Sequence, residues 1–140
     1  MSILPIFIPH AGCPHQCVFC NQKTISGQKL AAVAAAKEQL MRWRSWLRPS
    51  AANEAAFYGG SFTGLPLELQ EELLALTDAL LAEGFIGSVR LSTRPDYIDE
   101  ERLQLLQRHG VRLVELGVQS LDDRVLAAAE RGHTAAQVAP

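Results

Sequence analysis

Four times in succession this chain runs from a short apolar, strand-like segment into a stretch with helical spacing, and no hairpin turn signal separates the units. That order requires parallel strands joined by right-handed helical crossovers, because a parallel neighbour is reached only by returning over a face of the sheet. Ile3 to Ile8, ended by Pro9, reads as a buried first strand. "GQKLAAVAAAKEQLMRWRSWLRP" is rich in helix formers, with Val33, Ala36, Leu40, Trp43 and Leu47 on one face and Pro49 as its stop. "EAAFYGG" is the second strand. Pro66 opens a second helix with Glu68 in its first turn, a stripe of Leu69, Leu73, Leu76 and Leu80, and Gly84 at its end.

"IGSVRLST" reads as the third strand and "DEERLQLLQRHG" as the third helix, with Asp99 as N-cap and Gly110 past its end. "VRLVELGV" is the fourth strand. Ser120 and Asp123 have the spacing of a capping box for a fourth helix that ends at Gly132. The expected fold is α/β, a partial (β/α) barrel of about four units. At 140 residues the chain is short for a complete barrel of about 250, and "GHTAAQVAP" trails off where a fifth strand would follow. With 48% apolar and 20% charged residues a buried core is feasible, and one domain over 1–140 is expected.

A net charge of −2 argues against a generally basic, nucleic-acid-coating protein. The "RWRSWLR" stretch is basic and aromatic, but Trp43 and Leu47 belong to the apolar stripe, which leaves Arg42, Arg44 and Arg48 for a solvated face. The N-terminus is apolar but short and broken by Pro5 and Pro9, so neither a signal peptide nor a membrane span is expected, and the expected location is the cytoplasm.

In parallel α/β folds ligands sit beyond the C-terminal ends of the strands. The loops there are "HAGCPHQCVFC", "YGGSFTG", "LSTRPD" and "GVQS", and all the unusual chemistry of the sequence falls on them. The first holds the only three cysteines, Cys13, Cys17 and Cys20, spaced Cys-x3-Cys-x2-Cys. One loop can wrap one metal centre at that spacing, and an odd, tight cluster in a reducing compartment favours ligation over disulfides. Sulfur-rich ligation suits an iron–sulfur cluster or zinc. Zinc with His10 or His15 as fourth ligand is the alternative, although zinc sites usually set two ligand pairs a dozen or more residues apart.

Cys13-Pro-His-Gln-Cys17-Val-Phe-Cys20 resembles the CxxxCxΦC signature of the radical SAM (S-adenosylmethionine) superfamily, with Phe19 as the aromatic Φ, and it follows the first strand as it does in that family. The resemblance implies a partial radical SAM barrel in which Cys13, Cys17 and Cys20 ligate a 4Fe–4S cluster. It implies that the iron without a protein ligand chelates SAM. It also implies reductive cleavage of SAM to methionine and a 5′-deoxyadenosyl radical, which abstracts a substrate hydrogen.

The family places a "GGE"-type motif where this chain has Gly59-Gly60-Ser61, and uses it against the methionyl amine of SAM. Ser61 stands in for the carboxylate and offers a hydroxyl without a full counter-charge. Read without the family, paired glycines are a tight turn. Polar residues after the third strand contact the SAM ribose in family members, which makes Thr93 and Arg94 candidates; locally, Pro95 and Asp96 read as a turn. "GVQSLD" with Arg131 is similar to the branch containing the Elongator catalytic subunit and oxygen-independent coproporphyrinogen III oxidase. By that likeness Gln119 and Arg131 are SAM ligands, with Arg131 shaped to pair a carboxylate. The local alternatives are a polar strand cap for Gln119 and a cation at a helix C-terminus for Arg131. His133 reads as part of the turn after the fourth helix, and His10 and His15 are given no ligand role.

The resemblance implies SAM, a reductant such as flavodoxin or ferredoxin, and a substrate left open, with tRNA one candidate; no membrane partner is implied. Superfamily barrels commonly carry six βα units and four are counted here. The expectation is therefore the N-terminal portion of a radical SAM core, inactive alone or in need of a partner segment, with its fourth strand an open edge. A small zinc-stabilised binding module and an iron–sulfur electron carrier without SAM chemistry are the competing functions.

Overall fold

The computed structural model describes residues 1–8, 17–18 and 29–138. Pro9 and the expected helix start at Gly27 and Gln28 lie outside them. Strands β1 (Ile3–Phe7), β2 (Glu54–Tyr58), β3 (Ser88–Thr93) and β4 (Val111–Leu116) form one sheet in sequential order, every neighbouring pair parallel. Helices α1 (Lys29–Trp46), α2 (Leu67–Ala82) and α3 (Glu100–Arg108) make the crossovers, and α4 (Asp123–Ala128) follows β4. The βα alternation read from periodicity is thus the observed topology.

The strands alternate their side chains, and one set enters a single apolar cluster. Leu4, Ile6, Ala55, Phe57, Val89 and Leu91 pack there with Ala36 and Leu40 of α1, Leu69, Leu73 and Leu80 of α2, and Leu105 and Leu106 of α3. Each fully buried leucine of that set contributes about 1.5–3 kcal/mol of transfer free energy. Three successive helices therefore cover the same face of the sheet, which is how a barrel wall is built.

Local chemistry sets the ends of these elements. Asp99 caps α3 by accepting a hydrogen bond from the Arg102 amide at 2.8 Å. Gly84, at φ +67°, ends α2 in a Schellman turn, in which the Phe85 amide reaches back to the Leu80 carbonyl. On α1, the Trp43 indole donates to the Pro5 carbonyl at 2.8 Å. The Gln39 amide bonds both the N–H and the C=O of Phe7, at 2.8 and 3.0 Å, and so satisfies main-chain groups on the outer side of β1. Arg42 pairs with Glu38 and Arg44 with Glu83 at the exposed surface of this basic stretch.

The fourth helix differs from expectation. Its N-cap is Asp122, which accepts from the Arg124 amide, while Ser120 accepts from the Asp122 amide one step earlier. Its end is not at Gly132. Glu130 takes the left-handed position at φ +53°, with the Glu130 amide bonded to the Ala127 carbonyl and the Arg131 amide to the Leu126 carbonyl. That is the Schellman pattern reached two residues early, on a non-glycine residue that carries about 1 kcal/mol of strain.

The second face of the sheet was not anticipated. Arg90 on β3 bridges Glu54 on β2, at 3.2 Å, and Glu115 on β4, and Ser88 donates to the same Glu54. Arg90 is held above its ordinary pKa, chiefly by the hydrogen bond to Glu115. At the edge, β4 pairs only with β3 among the described residues, and Leu113 and Leu116 are partly exposed, as expected of an open edge.

Candidate functional site

The four strands point their C-terminal ends to one side, and the loops that leave β2, β3 and β4 converge there. A cleft of about 150 Å³ opens between the ends of β2, β3 and β4, lined by Gly59, Gly60 and Ser61, by Ser92 to Arg94, and by Gly117 and Arg131. Residues far apart in sequence meet because parallel strands in register bring equivalent loops side by side.

Gly59 is the tightest point of this rim. Its φ is +120°, and a Cβ there would lie 2.2 Å from the Ile8 carbonyl oxygen, so only glycine lets the β2 loop pass the end of β1. The next residues are tied to β3 by hydroxyls. Ser61 Oγ and Thr93 Oγ1 are 2.9 Å apart, Thr93 also meets the Thr63 hydroxyl and amide, and Ser61 accepts from the Arg94 amide at 3.2 Å. All three hydroxyl residues are buried.

Arg94 is 3% exposed. It donates to both carboxylate oxygens of Asp96, at 2.9 and 2.8 Å, and to the main-chain carbonyl of Arg131 at 2.6 Å, with Tyr97 against its guanidinium at 5.5 Å. Burial alone would raise the Asp96 carboxyl, but the hydrogen bonds and charge of Arg94 hold it below the usual carboxylate range. The turn after β3 is therefore an ion pair as well as the local bend read from Pro95 and Asp96.

Arg131 arrives from the other side. It donates to Cys17 Sγ at 3.6 Å and to the Gly117 carbonyl, while its buried Nε has no partner among the described residues. A Cβ at Gly117 would sit 2.9 Å from Arg131 Nη2, so the missing side chain makes room for this guanidinium. Gln119 stands at the mouth of the cleft, exposed and at φ +69°, and its amide nitrogen turns back over Gly117. His133 is buried beside the two arginines. Burial pushes its pKa below the ordinary value and the charges of Arg131 and Arg94 add to that, against smaller opposing effects of Asp96 and the Val118 backbone.

Of the residues singled out in the sequence, Gly59, Gly60, Ser61, Thr93, Arg94 and Arg131 line one cleft, Cys17 touches Arg131, and Gln119 sits at its rim. Cys13, Phe19 and Cys20 lie outside the described residues, as do His10 and His15. Asp96, Thr63 and Gly117 were missed. An R-x-D step in a polar loop and a glycine at a strand end are the signals that could have found the first and the last.

The donor set suits the group that the cysteine motif implies. A carboxylate needs a desolvated guanidinium with an N–H to spare, and Arg131 Nε has no partner among the described residues. A ribose and an amine need hydroxyls, carbonyls and open backbone, which the Gly59–Ser61 loop and the Thr93 region supply.

Comparison with known proteins bears on the same residues. The family model of the radical SAM superfamily matches residues 7–139. An uncharacterised protein of Methanocaldococcus jannaschii is 28% identical over 139 residues, covering 91% of this chain and 42% of that protein. Elongator complex protein 3 of Saccharomyces cerevisiae is 30% identical over 103 residues, covering 61% of this chain and 18% of its own length. The solved structure of the archaeal Methanocaldococcus infernus Elp3 with an N-terminal deletion shares the fold at a TM-score of 0.62 and 19% identity, over 98% of this chain and 33% of that one. The chain thus spans less than half the length of the relatives it matches. With the family model matched over residues 7–139 of its 140, this chain belongs to the radical SAM superfamily.

Proposed function

We propose that residues 1–140 form the N-terminal portion of a radical SAM enzyme core, with a 4Fe–4S cluster on Cys13, Cys17 and Cys20 and S-adenosylmethionine in the adjoining cleft. The observation that carries the reading is Arg131, which spans from the cleft to Cys17 Sγ and keeps a buried Nε without a partner among the described residues. When bound, the cluster and SAM together supply one-electron reductive cleavage of a sulfonium C–S bond and hydrogen abstraction from a substrate.

The chain's own residues do the binding and orienting. Gly59 and Gly60 leave backbone open to the methionyl amine, with Ser61 as a neutral acceptor beside it. Arg131 takes the carboxylate. Thr93 and Arg94 would contact the ribose and Gln119 would close the mouth, while Phe19 holds the aromatic position of the cysteine motif. The hydroxyl net of Ser61, Thr63 and Thr93 fixes these groups before the ligand arrives, which lowers the ordering entropy paid on binding. A small reductant protein of the flavodoxin or ferredoxin class would deliver the electron. The likeness to the Elongator-like branch supports a tRNA substrate. No described helix is long and apolar enough to cross a membrane, and the proposed location is the cytoplasm.

Anaerobic reconstitution with iron and sulfide, followed by a SAM-cleavage assay under dithionite, tests the reading. The expected result is a brown protein with a cubane spectrum that forms methionine and 5′-deoxyadenosine, and a Cys17→Ala variant that does neither. A colourless zinc-loaded protein selects the zinc module instead. A brown protein inert towards SAM selects either an electron carrier or a core that needs further segments, and addition of a longer version of the chain separates those two.

A further inference from the structure

Two independent contacts join the cysteine loop to the end of α4. The Val18 amide donates to the Ala129 carbonyl at 3.3 Å, and Arg131 Nη1 donates to Cys17 Sγ at 3.6 Å. Both Cys17 and Arg131 are buried, at 3% and 8% exposed. The backbone is shaped for this approach, since the left-handed Glu130 turns the chain after α4 so that Arg131 reverses toward the sheet. Two further holds keep the guanidinium in place. Its Nη2 donates to the Gly117 carbonyl, and its own main-chain oxygen is gripped by Arg94, itself fixed by Asp96.

We propose that Arg131 has a second task besides binding the cofactor carboxylate: it donates a charge-assisted hydrogen bond to the Cys17 thiolate and thereby sets the reduction potential of the cluster, with Arg94 and Asp96 as its positioning residues. The inference rests on the proposed cluster at Cys13, Cys17 and Cys20. An arginine stays protonated at any working pH. A hydrogen bond from a cation to a ligating sulfur draws density from that sulfur and stabilises the reduced, more negative cluster, so the potential rises. Burial strengthens the effect, because a low local dielectric screens the charge poorly. One side chain would then couple the cofactor pocket to cluster redox: a carboxylate docking on Nε neutralises part of the charge seen by Cys17.

The test is the midpoint potential of the reconstituted cluster, titrated in the absence of SAM with the reduced state followed by electron paramagnetic resonance. Arg131→Gln is expected to lower the midpoint relative to wild type. Arg131→Lys, which keeps the charge but cannot hold both Cys17 and Gly117, falls between the two. Asp96→Asn, which loosens Arg94, shifts the midpoint the same way by less. If the glutamine variant does not take up a cluster, wild type and the lysine variant suffice: exchange into deuterated water should shift the iron–sulfur stretching bands of the wild type, and Arg131→Lys should reduce that shift. Unchanged midpoints in variants with full cluster content, or exchange shifts identical in wild type and the lysine variant, overturn this inference while leaving the cluster itself standing. A wild-type chain that takes up no cluster overturns the functional reading and this inference together.

Discussion

Gly59→Ala is the substitution whose effect the structure specifies most closely. The residue sits at φ +120°, a region essentially closed to side chains, and a Cβ would lie 2.2 Å from the Ile8 carbonyl oxygen. Backbone strain of that kind costs about 1–3 kcal/mol. The clash adds to it: reaching even 3.0 Å requires a retreat of 3.0 − 2.2 = 0.8 Å by main chain, not by a flexible side chain. Ile8 is held there by its amide bond to the Tyr58 carbonyl at 2.8 Å, and losing that bond costs about 1 kcal/mol more. The expected total is about 3 kcal/mol or above, which for a chain of this size is roughly 10–15 °C in Tm. Gly84→Ala is the control, since it has a positive φ of +67° but nothing within 4 Å of the added methyl. It should cost about 1–2 kcal/mol. Urea unfolding followed by circular dichroism, run on wild type and both variants, compares them directly. If Gly59→Ala costs no more than Gly84→Ala, close approach to β1 is not what this glycine serves.

Glu130→Gly removes strain at φ +53° from an exposed position, and should stabilise the fold by about 0.5–1 kcal/mol in the same assay; a loss of stability would show that the left-handed turn is not strained. Asp96→Asn leaves the buried Arg94 with a weaker partner and should cost about 2 kcal/mol at neutral pH. Because the Asp96 carboxyl is held below its ordinary value of 3.8, its contribution is present above that pH and lost as pH falls through and below it, so the variant's stability should vary less than wild type's below about pH 4. His133 is also depressed, from 6.5, so the unfolded chain binds the proton first and stability should fall as pH drops below about 6.5. Unfolding midpoints at pH 7.5 and 5.5 should differ more in wild type than in His133→Gln; equal differences would mean the ring is not kept neutral in the folded chain.

Much of the architecture was legible from local pattern. Leu69, Leu73 and Leu80 lie on one side of a helix because three- and four-residue spacing follows from helical pitch, whatever surrounds it. Asp99, Gly84 and Gly110 mark helix ends because capping depends on a few adjacent bonds. The fourth helix escaped this logic. Gly132 offered the better stop by propensity, yet the chain turned at Glu130, where tertiary contacts of Arg131 outweigh about 1 kcal/mol of backbone strain.

The charged groups divide in the same way. Arg90, Glu54 and Glu115 are unremarkable in sequence, and their ionic row exists only because the sheet register sets three strands side by side. Arg94 and Arg131 were recognised as site residues, but not that one grips the main chain of the other. The amino-acid sequence by itself determined the βα alternation, the face on which the loops gather, and the three-cysteine motif, since these depend on residue type and short-range spacing. Only the tertiary structure decided that Arg131, 114 positions along the chain, meets Cys17, and that Arg94 and Asp96 brace it. Such contacts depend on strand order, register and the turn taken after α4, and no local spacing encodes them.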